Sequence, residues 1–246
     1  MRNLKLVIQF DGTDFHGWQQ QADKRTVQSE LTTALGRLTG TRPVLHSSSR
    51  TDAGVHALAM PVSFETPSAL PCRAFVLGTN SFLAPDLRVL TAEEVAPDFH
   101  ARFSALGKTY VYRVQSGAVG LPLERRFAWH VVRPVDPRPM AEAAACLVGE
   151  YDFSAFRAAE CDAASPVRRL HSVSVAQDRP GLVTLTVRGT GFLRNMVRIL
   201  AGTLVQVGIG KRPASWVEAV LDGRDRTKAG MTAPPQGLIL REVEYP

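Results

Sequence analysis

The apolar patterning of the chain predicts an α+β protein built on mainly antiparallel sheets. Strand-like alternation and helix-like periodicity intermix in both halves of the sequence. They do so without the regular strand–helix–strand rhythm of a doubly wound parallel sheet. The 246 residues, 45% hydrophobic and 21% charged, suffice for one large core or two small ones.

The elements follow in order. Leu4, Leu6, Ile8 and Phe10 alternate with Lys5, Val7 and Gln9, the signature of a half-buried strand. A glycine-punctuated loop, Asp11 to Gln20, comes next. Val27, Leu31, Ala34, Leu35 and Leu38 then share one helical face, with Thr26 as N-cap and Gly40 as stop. Pro43 to His46 reads as a short strand, and Leu58, Met60, Val62 and Phe64 alternate in another. Between them lies the loop Ser47 to Ala57. Pro61 marks the second of these strands as an edge or as bulged. A short helix near Arg73 to Leu77 and a strand near Leu87 to Leu90 close the first half.

In the second half Tyr110, Tyr112 and Val114 face one way along a strand, with Thr109, Val111 and Arg113 opposite. Asp136 as N-cap and Pro137 in the first turn open a helix carrying Met140, Ala144, Leu147 and Val148. Val173 and Val175, then Val183, Leu185 and Val187, predict two strands. A long helix follows from Leu193 to Val207, a shorter one from Pro213 to Leu221, and a closing strand from Leu238 to Val243. The stretch Phe103 to Gly107 separates an expected first domain, 1–104, from a second, 105–246.

Several function classes are disfavoured at this level. No apolar run reaches the ~18–20 residues that span a bilayer, and the N-terminus lacks a signal-peptide pattern. The three cysteines, Cys72, Cys146 and Cys161, form no CxxC pair, so neither a disulfide framework nor a zinc site is indicated. A reducing cytoplasm is the expected compartment. The net charge of +6 and pI near 9.6 suit a polyanionic partner.

The loop Ser47-Ser48-Ser49-Arg50-Thr51-Asp52-Ala53-Gly54-Val55-His56-Ala57 is the most informative segment. Asp-Ala-Gly can be a simple turn. With Arg50 nearby and Gly54 permitting close backbone approach, Asp52 can instead be an ionised nucleophile or base. Arg198 sits in a largely apolar helix, where an inward guanidinium needs a carboxylate; Asp52 would serve. The alternative is one solvated stripe of Arg194, Asn195, Arg198 and Gln206. Tyr110, among Lys108 and Arg113, is either a base-stacking ring or a core strand residue. Gly189-Thr190-Gly191 lacks the spacing of a phosphate loop and reads equally as a tight turn. The six histidines show no metal-ligand spacing, and His56 reads as a structural hydrogen-bonder. The doublets Arg125-Arg126, Arg168-Arg169 and Lys211-Arg212, with Arg224, Arg226 and Lys228, suggest a distributed surface for nucleic-acid backbone, or solvated loops.

Taken together, Phe10 to Gln19, Arg50 to Ala57, Phe99 to Ser104, Lys108 to Arg113, Phe192 to Arg198, and Ala233 to Leu238 with Tyr245-Pro246 resemble the TruA-type tRNA pseudouridine synthases. The resemblance runs from end to end. It implies two α/β domains whose sheets form an extended surface across a central active-site cleft. It implies isomerisation of uridine to pseudouridine at nucleotides 38, 39 and 40 of the tRNA anticodon stem-loop, with no metal or organic cofactor. The implied partners are tRNA and a second copy of the chain in a homodimer. The family's nucleophilic aspartate matches Asp52, its pairing basic residue Arg198, and its base-stacking aromatic Tyr110. Arg50, beside the aspartate, becomes an expected RNA contact that helps displace the target base. Many relatives carry Gly before the Arg-Thr-Asp, where this chain has Ser49, a residue penalised at positive φ.

Overall fold

A computed structural model describes residues 1–246. By contact density the chain divides into two compact units, Met1–Leu106 with Leu240–Pro246, and Gly107–Ile239. Both are α+β.

In the first unit β1 (Arg2–Phe10) runs antiparallel between β3 (His56–Thr66) and β4 (Leu87–Val95). Register pairs Leu4 with Phe64, Leu6 with Val62 and Ile8 with Met60, so these buried side chains share one face. Phe75 of helix α2 (Cys72–Phe82) meets that face, its ring centroid 6.0 Å from that of Phe64. Helix α1 (Val27–Thr39) buries Val27, Leu31, Ala34 and Leu35. It starts at the capping box of Thr26 and Ser29 and ends on Gly40 at φ +77°. Helix α2 runs past Leu77 to Phe82. Gly78 does not end it, because a Cβ there would lie 2.6 Å from Leu38 Cδ1; the glycine lets α1 approach.

Two strand expectations change. The predicted strand at Pro43 to His46 is only β2 (His46–Ser47), paired with Ser63 and Val62 of β3. With β1 on its other side, β3 is not an edge strand. It is bulged: Ile8 pairs with Met60 but Phe10 with Ala57. Within a strand, a residue's N–H and C=O point to the same side. The Pro61 carbonyl accepts from Ser48 N–H at 2.9 Å, so its missing donor faces the end of β2 and not β1. Strand β4 also runs beyond Leu90 to Val95, held through Lys5–Glu93 (2.7 Å) and Arg2–Glu94 (3.2 Å). The C-terminal part of β10 (Leu238–Glu244) belongs to this unit, where Leu106 N–H donates to Glu244 O at 2.9 Å.

The second unit is an antiparallel sheet in the order β5 (Gly107–Ser116), β9 (Leu182–Gly189), β8 (Val167–Arg179) and β7 (Gly149–Asp152). A short β6 (Trp129–Val131) lies parallel to β5. Helix α3 (Pro137–Ala144), with Asp136 Oδ1 accepting from Arg138 N–H at 2.9 Å, packs against β8 and α4 (Met196–Gly208). Helix α4 starts at Met196 and not Leu193, because Asn195 sits at φ +61° and breaks the turn. Helix α5 (Ser215–Gly223) completes the unit.

Candidate active site

In the first unit, the loop between β2 and β3 places Asp52 by burying its neighbours. Ser47, Ser48, Ser49, Thr51, Val55 and His56 are buried, Arg50 is exposed and Asp52 half-buried. Thr51 is thus buried between an exposed Arg50 and a half-buried Asp52. Ser49 is not at positive φ, so serine in place of glycine brings no backbone strain. Asp52 O accepts from Val55 N–H at 3.2 Å across a turn in which Gly54 takes φ +78°.

A second loop, Asp11 to Trp18, grips this turn through backbone groups. Trp18 N–H donates to Thr51 O (3.1 Å), and Gly54 N–H donates to Phe15 O (3.3 Å). Gly12 N–H donates to His56 Nδ1 at 2.9 Å, which places the proton of a neutral His56 ring on Nε2. In that tautomer the 3.2 Å approach of Asp11 Oδ1 to Nδ1 is a contact between acceptors; the Gly12 bond is the one that orients the ring. The two backbones nearly touch: a Cβ on Gly12 would lie 2.0 Å from Val55 O, and one on Gly17 would lie 2.5 Å from Thr51 O.

This clamp has its own support. Arg25 lies over the Phe15 ring (4.1 Å to the centroid) and makes paired bonds to Asp86 at 2.6 and 2.9 Å. The hydrogen bonds from Arg25 hold the Asp86 carboxyl below its ordinary range, and Asp86 pushes the arginine higher still. In the sequence, residues 11–20 are a glycine-punctuated loop whose first part, to Gln19, belongs to the family resemblance. Gly12 and Gly17 were the available signal, since close backbone approach is a standing reason for glycine; nothing in the pattern pointed to the Arg25–Asp86 pair.

In the second unit, Arg198 is half-buried on α4 and held at two points. Nε donates to Ala233 O (2.8 Å) and Nη1 to Asn195 Oδ1 (2.9 Å). It is therefore not part of a solvated stripe with Arg194, which is exposed and bonds Glu160. The segment carrying Ala233 lies directly on the helix: a Cβ on Gly202 would sit 1.9 Å from Met231 O, and Gly230 N–H donates to Thr203 Oγ1 at 2.9 Å. Tyr110 is 8% exposed, with its ring edge-on to Phe192 at 5.1 Å. Tyr112, on the same sheet face, is a core residue. Its hydroxyl donates to Pro234 O (2.7 Å), and burial pushes its pKa up against the opposing charge of Arg198.

The weaker expectations also resolve. Thr190 N–H is taken by Arg169 O (3.1 Å), so Gly189-Thr190-Gly191 is a packed turn. Arg226 bonds Gly230 O and Thr232 Oγ1, which makes it a structural residue. Arg125 and Arg126 are exposed. The three cysteines are free thiols, and no helix is long and apolar enough to cross a membrane.

A carboxylate on a turn pinned through backbone groups is what an enzyme of nucleophilic or base type needs. A family model described as tRNA pseudouridine synthase matches residues 6–104 and 143–246. The chain is 49% identical to tRNA pseudouridine synthase A of Myxococcus xanthus, covering 100% of this chain and 92% of that one. It is 48% identical to the protein of that name from Geobacter sp. (strain M21), with 100% of both chains covered. A third, from Pelobacter propionicus, is also 48% identical over 100% of each. Among solved structures, a Cbf5-Nop10-Gar1 complex aligns at 12% identity and a TM-score of 0.38, covering 96% of this chain and 57% of that one. The protein is an isomerase by class. It belongs to the tRNA pseudouridine synthase family.

Proposed function

We propose that the protein isomerises uridine to pseudouridine at nucleotides 38, 39 and 40 in the anticodon stem-loop of tRNA, with Asp52 as its nucleophile. The observation that carries this reading is the Asp52 turn itself. Its backbone is pinned at Thr51 and Gly54, the His56 ring is held at Nδ1, and Asp52 sits half-buried on the turn, in a chain of the tRNA pseudouridine synthase family. The reaction breaks the N1–C1′ bond, turns the detached base, joins C5 to C1′, loses the C5 proton and gains one at N1, with no net change in atoms or redox state. Asp52 starts it by attack at C1′, by deprotonating the ribose, or by addition at C6.

Arg198 is the proposed cation that keeps Asp52 ionised and oriented. Support comes from its fixed guanidinium, which already has two of its groups committed to Ala233 and Asn195. Tyr110 is proposed to stack on the target base, its ring braced by Phe192. A ring only 8% exposed stacks on a base after its cover moves, so the reading includes an opening step. Arg50, exposed beside the carboxylate, is proposed to contact the RNA and help displace the base. The reading further places the enzyme in the cytoplasm as a homodimer, which sedimentation of the purified protein tests.

Two assays test the function. Tritium release from tRNA carrying 5-tritiated uridine is expected from the wild type and not from Asp52→Asn, which keeps the shape and removes the charge. Mapping pseudouridine in tRNA from a deletion strain is expected to show losses confined to nucleotides 38 to 40. Release of free uracil would instead show a base hydrolase, and losses elsewhere in tRNA would overturn the assignment of position.

A further inference from the structure

The first unit carries a column of rings that the site above does not use. His46, on β2, stacks on His100 with centroids 4.6 Å apart and planes at 37°. His100 in turn stacks on Phe103 at 4.4 Å and 36°. The turn that holds the last two rings is built by the His100 ring and by main-chain N–H groups, without the Phe103 ring. His100 Nδ1 accepts from Arg102 N–H (3.1 Å), His100 N–H donates to Ser104 Oγ (3.0 Å), and Ala101 N–H donates to Ser63 Oγ (3.0 Å). Tyr245 closes the arrangement by donating to Ala101 O at 2.6 Å. Phe103 therefore contributes little to the turn, yet an aromatic ring 75% exposed is presented there, with the Arg102 guanidinium 5.4 Å from its centroid.

Beside the column lies an open groove of about 590 Å³, lined by His46, His100, Phe99 and Arg42, and also by Glu65 and Asp98. That volume is in the range of small-ligand sites. Stacked ring faces flanked by guanidinium groups are the general means of holding an unpaired base and its phosphate. The two carboxylates argue against a phosphate inside the groove. They suit the amino and imino groups of a base edge, leaving the phosphate to Arg42 and Arg102.

We propose that the His46–His100–Phe103 column is a second RNA-contact site, which stacks an unpaired nucleobase of the tRNA. It rests on the reading that tRNA is the substrate. The site adds affinity and takes no part in bond making.

The test compares full-length wild type with His46→Ala, Phe103→Ala and Phe103→Trp. Dissociation constants for a complete tRNA transcript are measured by filter binding, alongside tritium-release kinetics. Each alanine variant is expected to weaken binding by about five- to 150-fold, the range of one lost base stack. The loss falls on KM more than on kcat, and Phe103→Trp restores it. Arg102→Ala is expected to lower the salt slope of binding by about one. A Phe103→Ala protein that melts lower but binds tRNA as wild type does would show a structural role only and overturn the proposal. So would unchanged tRNA binding with loss of a bound protein or peptide. The functional reading fails separately, if the wild type binds tRNA and releases no tritium.

Discussion

Removing Asp86 tests whether the clamp on the Asp52 turn is held electrostatically. Arg25 bonds Asp86 at 2.6 and 2.9 Å, and the two side chains are 31% and 24% exposed. Hydrogen bonds to charged groups are worth about 1.5–3 kcal/mol when well sheltered, while exposed ion pairs give about 0–1. This pair is partly wet, so solvent screening brings the expected coupling down to about 2 kcal/mol at neutral pH. Urea unfolding of Asp86→Ala, Arg25→Ala and the double variant forms the cycle that isolates it. The pH dependence has a definite sign. The Asp86 pKa is lowered by folding, so its contribution is fully present above the unfolded carboxylate value of about 3.9. It is lost as pH falls through the lower folded value. The coupling should therefore hold from about pH 7 to about pH 5 and shrink on further acidification. Because Phe15, under Arg25, accepts the Gly54 N–H, Asp86→Ala should also lower kcat, by about tenfold, while KM for tRNA is kept. A coupling below about 0.5 kcal/mol, or one that grows on acidification, would refute the reasoning.

Other outcomes follow from close contacts. Gly12→Ala puts a methyl 2.0 Å from Val55 O, so the Asp52 turn must shift; kcat should fall by about a hundredfold or more while filter binding of tRNA persists. Gly202→Ala drives a methyl against Met231 O at 1.9 Å and displaces the segment that carries Ala233 O, the acceptor for Arg198 Nε. Activity should be lost, and circular dichroism melting should show destabilisation of about 1–3 kcal/mol. Tyr112→Phe removes the bond to Pro234 O and should cost about 1–2 kcal/mol of stability in urea, with little change in tritium release at saturating tRNA.

Much of the scaffold was legible because burial writes a period into the sequence. Leu4, Leu6, Ile8 and Phe10 alternate since one face of β1 is covered, and Thr26 and Gly40 bracket α1 since its ends need capping. Expectations moved or narrowed where a residue's local preference met a tertiary use. The helix expected near Arg73 to Leu77 runs on through Gly78, a helix contact, to Phe82; of the edge or bulge that Pro61 marks, the bulge is what occurs. The exposed length of β4 from Thr91 to Val95 has no apolar alternation, because it is held by pairing with β1 and by ion pairs. That Leu240–Pro246 counts with the first unit is a long-range fact, and no local pattern encodes it.

The candidate site divides along the same line. The two side chains proposed for chemistry on the turn, Asp52 and Arg50, stand out because charged residues among Ser, Thr, Ala and Gly are conspicuous. What aims them does not, because it is largely main chain. Thr51 O, Gly54 N–H and Gly12 N–H carry no identity in the sequence beyond the smallness of the glycines. The side chains that support the clamp are His56 through Nδ1, and Arg25 through Asp86 and the Phe15 ring. The Arg25–Asp86 pair reaches the turn through Phe15, whose ring lies under the guanidinium and whose carbonyl accepts the Gly54 N–H, so variants of the pair should lower kcat by misplacing the carboxylate while KM for tRNA is kept.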